Sequence, residues 1–173
     1  IIHVIRCFED ENILREEGAI NPVSDKEIIE MELQFKDLES VEKKIQRIEK
    51  QAKTGGDAKA KRHLEVLLNC KSILEQGKNV RLLNLEGEDF EAVADLFLLT
   101  QKKVLYLANV DEASIHTGNK YSEMLKVAVE NDGAEMVIMN NSIEAQIAEM
   151  ESEEDKEMFL AEYSLEEPAL NRL

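Results

Sequence analysis

Apolar and polar positions follow two rhythms along this chain. Three short, nearly continuous apolar runs, Ile1 to Cys7, Val104 to Asn109 and Met136 to Met139, are each bounded by charged or turn-forming residues. A run of that length without polar alternation predicts a strand covered on both faces, the pattern of a parallel sheet with helices on either side. Elsewhere the apolar residues recur every three or four positions, which predicts helices. Ser24-Asp25-Lys26-Glu27 has the form of a capping box and opens a helix that nothing interrupts before Lys53. Within it Met31, Leu38, Val41, Ile45, Ile48 and Ala52, with Gln34 filling one step, form a narrow seam for a partner helix.

Thr54-Gly55-Gly56-Asp57 ends that helix and offers Asp57 as the next cap. A second helix, about Ala58 to Gln76, presents Ala60, Leu64, Leu67, Leu68 and Leu74 before Gly77 closes it. Two long helices so closely joined are antiparallel, and the helical rise makes the arm about 30 to 45 Å long. Val80 to Leu85 returns the chain to the body. Helices are predicted at about Glu88 to Thr100 (Phe90, Val93, Ala94, Phe97 and Leu98 on one side), Tyr121 to Asn131, Ile143 to Met150 and Ser152 to Tyr163, before an extended Leu165 to Leu173. The alternation of strand, arm, helix, strand, helix, strand, helix predicts a parallel α/β sheet with the hairpin inserted into its first crossover.

Composition supports this reading: 43% hydrophobic but only 5% aromatic residues, no Trp and two Pro lean away from an all-β protein. A formal charge of −16 sets the chain as a whole against nucleic acid and anionic membranes. Residues 43 to 62 reverse that sign locally, with Lys43, Lys44, Arg47, Lys50, Lys53, Lys59, Lys61 and Arg62 against Glu49 and Asp57. Such a stretch fits either the solvated surface of a coiled coil or the electrostatic footprint of a polyanion. It lacks interleaved aromatics, so phosphate contact is the chemistry it offers, not base stacking. Cys7 and Cys70 are too few and too distant for a disulfide framework or metal knuckle, which makes a reducing cytoplasm the expected setting. His3, His63 and His116 have no metal-type spacing. The start is neither a signal peptide nor a membrane span, and a buried-type strand at the first residue, with no initiator Met, leads us to expect a piece of a larger protein.

Ligands of open α/β sheets lie beyond the carboxyl ends of the strands. Asn109 ends the central run, Glu112 follows three residues on, Phe8 leaves the end of the first run, and Asn140-Asn141-Ser142 leaves the third. On these residues alone, Asn109 fits a turn residue or a ligand contact, and Phe8 fits a core position or a stacking surface.

Several ordered pieces then share one pattern: Arg6-Cys7-Phe8-Glu9-Asp10, Asn21-Pro22-Val23, Gly55-Gly56-Asp57, Phe97-Leu98-Leu99-Thr100, Tyr106-Leu107-Ala108-Asn109-Val110-Asp111-Glu112, and Leu165-Glu166-Glu167-Pro168-Ala169-Leu170-Asn171-Arg172. Together they resemble the YchF or Obg-like ATPase family of P-loop NTPases. The resemblance implies the C-terminal half of a GTPase-like parallel sheet, residues 1–22 and 78–173, with a coiled-coil hairpin inserted at 23–77. A TGS domain would follow in the parent. It also implies ATP or GTP with Mg²⁺ as ligands of the parent, and the ribosome or ribosomal RNA as partner of the arm, with no role for membrane or DNA.

No Gly-x-x-x-x-Gly-Lys-Ser/Thr occurs in the chain, and Gly118-Asn119-Lys120-Tyr121 lacks the first glycine and the hydroxyl residue, so these residues alone are expected to hydrolyse nothing. What the resemblance leaves here is base recognition. Asn109-Val110-Asp111-Glu112 resembles the family's Asn-x-x-Glu variant of the GTPase Asn-Lys-x-Asp motif, which weakens guanine preference and makes adenine the expected base. By the family's pattern Asn109 bonds the purine ring, Phe8 and Val110 sandwich it, and Asn140, Asn141 and Ser142 offer backbone groups. A stand-alone hairpin adaptor without nucleotide is the alternative.

Overall fold

Three parallel strands, β1 (Ile2–Arg6), β2 (Leu105–Asn109) and β3 (Glu135–Met139), pair in chain order. They are seen in a computed structural model that describes residues 1–10, 12, 13, 18–53 and 58–172, with backbone alone at 50–53. The expected turn at Thr54-Gly55-Gly56-Asp57 lies outside the described residues. Ile2 stands opposite Leu105, and Leu105 opposite Glu135; Arg6, Asn109 and Met139 therefore finish at one level. Three loops thus leave from a common edge.

The molecule divides into two compact units. In the sheet unit, residues 2–26 and 104–173, the central strand is covered on both faces as its apolar run predicts. Tyr106 and Ala108 join Ile5, Cys7, Val110, Leu125 and Val129 in one cluster, while Leu107 packs with Met139 and Ala169 in another. The first strand departs from expectation. Ile2 and Val4 are 56% and 49% exposed, because β1 lies at the margin of the three-stranded sheet and buries only its Ile5 side.

Helix α1 (Pro22–Lys53) begins a turn before the expected capping box. Asn21 caps it, its side-chain oxygen accepting from the Ser24 amide at 3.2 Å, and Pro22 takes the first helical position, where a missing N–H is harmless. In the helical unit, residues 27–103 with Ile1, α1 packs against α2 (Ala58–Glu75) through Val41, Ile45, Val66, Leu67, Cys70 and Leu74. Met31 and Leu68, both expected in the seam, are exposed. The seam ends at Gln34, whose amide donates to the Gly77 carbonyl and to Asn79 Oδ1, beyond the last turn of α2; Met31 lies past that point.

The single helix expected from Glu88 to Thr100 is instead α3 (Gly87–Glu91) and a 3₁₀ turn at Ala94–Leu96, ended by Phe97 in the left-handed region at φ 50°. Phe97 is 76% exposed, so it leaves the apolar side assigned to it. Later helices fall close to their predicted bounds: α4 (Lys120–Asn131), α5 (Asn141–Glu149) and α6 (Glu153–Glu162). The tail expected to be extended carries a 3₁₀ turn at Ala169–Arg172. The buried Glu144 carboxylate accepts the Ala169 and Leu170 amides at 2.8 and 3.3 Å and holds that turn in place.

Candidate functional site

The common edge of the strands is stitched by side-chain amides. Asn109 Oδ1 accepts the backbone N–H of Asn141 at 2.9 Å, tying the end of β2 to the first residue of α5. Asn140 does two jobs at once: Oδ1 caps α5 by accepting from the Ile143 amide at 2.9 Å, and Nδ2 donates to the Val110 carbonyl at 2.8 Å. The Val110 amide in turn donates to the Met139 carbonyl at 2.9 Å. With its oxygen engaged, the Asn109 side chain keeps two N–H groups at Nδ2, and no partner for them is found among the described residues. A half-buried donor at the end of a central strand can receive a ring nitrogen or a carbonyl oxygen.

Val110, expected against a purine face, is 1% exposed and belongs to the core cluster; here its side chain supports the edge from within. Phe8 is half-buried, and the Arg6 guanidinium lies 5.0 Å from its ring centre. Glu112 is exposed at the start of a 3₁₀ turn, Glu112–Ser114, near Tyr163, whose phenol is pushed up first by burial and then by nearby carboxylates including Glu112. Asn141 and Ser142 are exposed at the start of α5. The edge therefore gathers Asn109, Asn140, Asn141 and Ser142, while Glu112 lies exposed in the turn that follows β2.

Asn119, which the sequence places in no site, also works at this edge. It caps α4, accepting from the Tyr121 and Ser122 amides at 3.0 and 3.1 Å, and its Nδ2 donates to the Cys7 carbonyl at 2.7 Å. Ser122 completes a capping box by returning its hydroxyl to the Asn119 amide. One residue thus fastens the exit of β1 to the start of α4. The signal was present, since Asn after Gly and before a helical run is a cap signature. Beside this edge lies an open recess of about 390 Å³ lined by Arg6, Glu9, Asp10, Ile20 and Tyr121 among others. The Glu9 carboxyl is held below its usual range by hydrogen bonds from the Tyr121 hydroxyl and then from Lys120.

On the arm, Lys43, Arg47, Lys59, Lys61 and Arg62 are exposed and Lys44 is half-buried; Lys50 and Lys53 lie on α1 with side chains outside the described residues. Lys43 pairs within its own helix with Glu39 at 2.5 Å. Lys44 meets Asp95, Lys59 meets Glu91 at 2.8 Å, and Arg62 binds both carboxylate oxygens of Asp89 at 2.8 and 2.7 Å. Among the described residues no helix is long and apolar enough to cross a membrane, and no group of His, Cys, Asp or Glu is arranged to hold a metal ion.

Parallel strands ending level, with polar loops at their carboxyl edge and a helical hairpin set into the first crossover, define an α/β protein of the kind whose sheets hold ligands beyond the strand ends. No protein-family model matches the chain. It is 41% identical over 171 residues to the ribosome-binding ATPase YchF of Escherichia coli O157:H7, covering 99% of this chain and 46% of that protein. It is 35% identical over 156 residues to Obg-like ATPase 1 of Oryza sativa subsp. indica, covering 89% and 40%. The solved structure of the Schizosaccharomyces pombe YchF GTPase superposes with a TM-score of 0.83 at 25% identity, covering 99% of this chain and 47% of that one. Over its whole length the chain is homologous to the YchF ATPases, and it spans about half the length of the relatives it matches. A match along the whole chain does not favour the stand-alone adaptor.

Proposed function

We propose that these residues form the base-reading edge and the RNA-directed arm of a YchF-type, ribosome-binding nucleotide hydrolase working in the cytoplasm. Residues 1–22 and 78–173 contribute the second half of the nucleotide domain, and 23–77 the inserted hairpin. The observation that carries the reading is the hydrogen bond between Asn109 Oδ1 and the Asn141 amide, which orients the side chain and leaves Nδ2 to donate to a purine ring. Phe8 offers the ring surface, Val110 the support beneath, and Asn140, Asn141 and Ser142 the polar wall; Glu112 stands clear of the base.

The edge fits the base half of ATP or GTP. The phosphates and Mg²⁺ call for an amide cradle and a hydroxyl ligand, which we assign to residues of the longer protein, since the chain has no Gly-x-x-x-x-Gly-Lys-Ser/Thr. When bound, the metal supplies charge neutralisation at the phosphates; the residues here bind and orient the base. The basic arm is directed to ribosomal RNA through phosphate contacts, in keeping with the ribosome-binding name of the relatives. Calorimetric titration of the full-length protein tests the reading. ATP is expected to bind at least as well as GTP, and a strong GTP preference, or no binding of either, would contradict it.

A further inference from the structure

The cations of the arm are not all available. Asp89, Glu91 and Asp95 each reach across from the segment after α2 to a different cation of the hairpin: Arg62, Lys59 and Lys44. From Glu86 to Asp95 the chain reads Glu-Gly-Glu-Asp-Phe-Glu-Ala-Val-Ala-Asp, five acids and no base. This segment is anchored from below, where Ala92 and Val93 are fully buried in the same core as Val41, Leu67 and Leu98. The anchoring holds the carboxylates against α1 and α2, and the two-pronged contact of Asp89 with Arg62 has the geometry with which a guanidinium grips a phosphate. All three carboxyls are held below their ordinary ranges, Asp89 chiefly by hydrogen bonding to Arg62, Glu91 to Lys59 and Asp95 to Lys44. By contrast, Lys61 is exposed with no ion pair among the described residues, and Lys43 is held only by a neighbour on its own helix.

We propose that residues 86–95 are a built-in polyanion mimic that covers Lys44, Lys59 and Arg62 and competes with RNA phosphates for the basic arm, so that RNA engages Lys43 and Lys61 first and the covered three only by displacing carboxylates. This rests on the reading of the arm as RNA-directed. Exposed pairs of this kind are weak individually and exchange readily, which suits a competitor better than a permanent lock. The device raises the threshold for nonspecific RNA: a few scattered phosphates do not displace three carboxylates, whereas a surface presenting phosphates at matching positions does.

The test compares three forms of the full chain for binding to a fluorescein-labelled single-stranded oligouridylate over a range of salt. D89N/E91Q/D95N is expected to bind about tenfold tighter than the unmodified protein at low salt. Its salt dependence should be steeper by about two in the log–log slope, since three freed cations release more counterions. K43E/K61E is expected to bind more weakly than the unmodified protein. If K43E/K61E weakens binding while the acid-neutralised form is unchanged or weaker, the mimic is refuted and the RNA-directed arm stands. If neither variant moves, the arm reading fails and the mimic with it. Circular dichroism checks folding; should the triple variant unfold, D89N alone removes the cover from the following segment and leaves Arg62 with only its own-helix neighbour Glu65, at 3.0 Å, and it is expected to tighten binding about twofold, with no gain overturning the proposal.

Discussion

The Asp37 carboxylate accepts both the backbone amide and the hydroxyl of Thr100, at 2.6 and 2.7 Å, and the amide of Leu99 at 2.9 Å. Asp37 is 2% exposed, so its two oxygens are satisfied by donors from a segment sixty residues away, immediately after the left-handed turn at Phe97. The side chain thereby closes the helical unit across its core. Asp37→Asn keeps the size but loses the charge and exchanges one acceptor for a donor facing donors. We expect a loss of about 2 to 3 kcal/mol in urea denaturation, in line with charge-assisted bonds in a buried site. An unchanged midpoint would mean these contacts contribute no net stability.

At the strand edge the prediction concerns affinity, not stability. Because Asn109 Oδ1 is occupied, the side chain cannot read adenine with its oxygen and nitrogen together, and its remaining donor suits the N7 acceptor common to both purines. Asn109→Ala in the full-length protein should therefore weaken ATP and GTP by the same factor, about three- to tenfold. Parallel calorimetric titrations check this, and a loss confined to one base would show that Asn109 selects between them.

Both thiols are buried, with burial as the main cause pushing Cys7 up to about 12 and Cys70 up to about 11; nearby Asp25 and Asp37 respectively add to it. Thiols whose folded values lie above the ordinary 9.0 contribute stability that is fully present below pH 9. It is lost as pH rises from 9 toward 11 for Cys70 and toward 12 for Cys7. We expect Ellman's reagent at pH 8 to react with neither in the native protein and with both in guanidinium, and thermal stability to fall on going from pH 9 to 11. Rapid native labelling at pH 8 would contradict the burial argument.

Gly118 is a steric requirement. Its φ is +69°, and a Cβ there would lie 2.5 Å from Ser122 Oγ, the hydroxyl that returns to the Asn119 amide. Gly118→Ala should cost about 1 to 3 kcal/mol through backbone strain and loss of the cap. Differential scanning calorimetry against Gly133→Ala, which has equally positive φ but open space, separates the steric part from the conformational part.

The strands were legible because a central parallel strand is apolar on both faces and leaves a continuous run, as at Leu105 to Ala108. The same logic overreached for β1, since nothing local distinguishes an outer strand from an inner one, and the exposure of Ile2 and Val4 follows from sheet position. The start of α1 was misplaced because two cap signals compete within four residues, Asn21-Pro22 and Ser24, and the proline position prevails. The break at Phe97 was hidden because a bulky residue rarely adopts positive φ; here the turn it makes presents the following amides to Asp37. Asn109 was found from its place at a strand end. The pairing of Lys59 with Glu91 or of Asn119 with Cys7 was not, since contacts that span 32 or 112 residues leave no local periodic trace.

Arg6, Asn109 and Met139 occupy the same rung of the ladder, which ties this surface to the length of each strand. Removing one residue from β2 exchanges its two buried faces, setting Tyr106 and Ala108 against the packing made for Leu107, and removing two restores the faces but draws Asn109 back by about 6.6 Å, out of reach of Asn141. A change of length is therefore expected to be tolerated in the loops and the hairpin, whereas each of the three strands can exchange its side chains but keeps its number of residues.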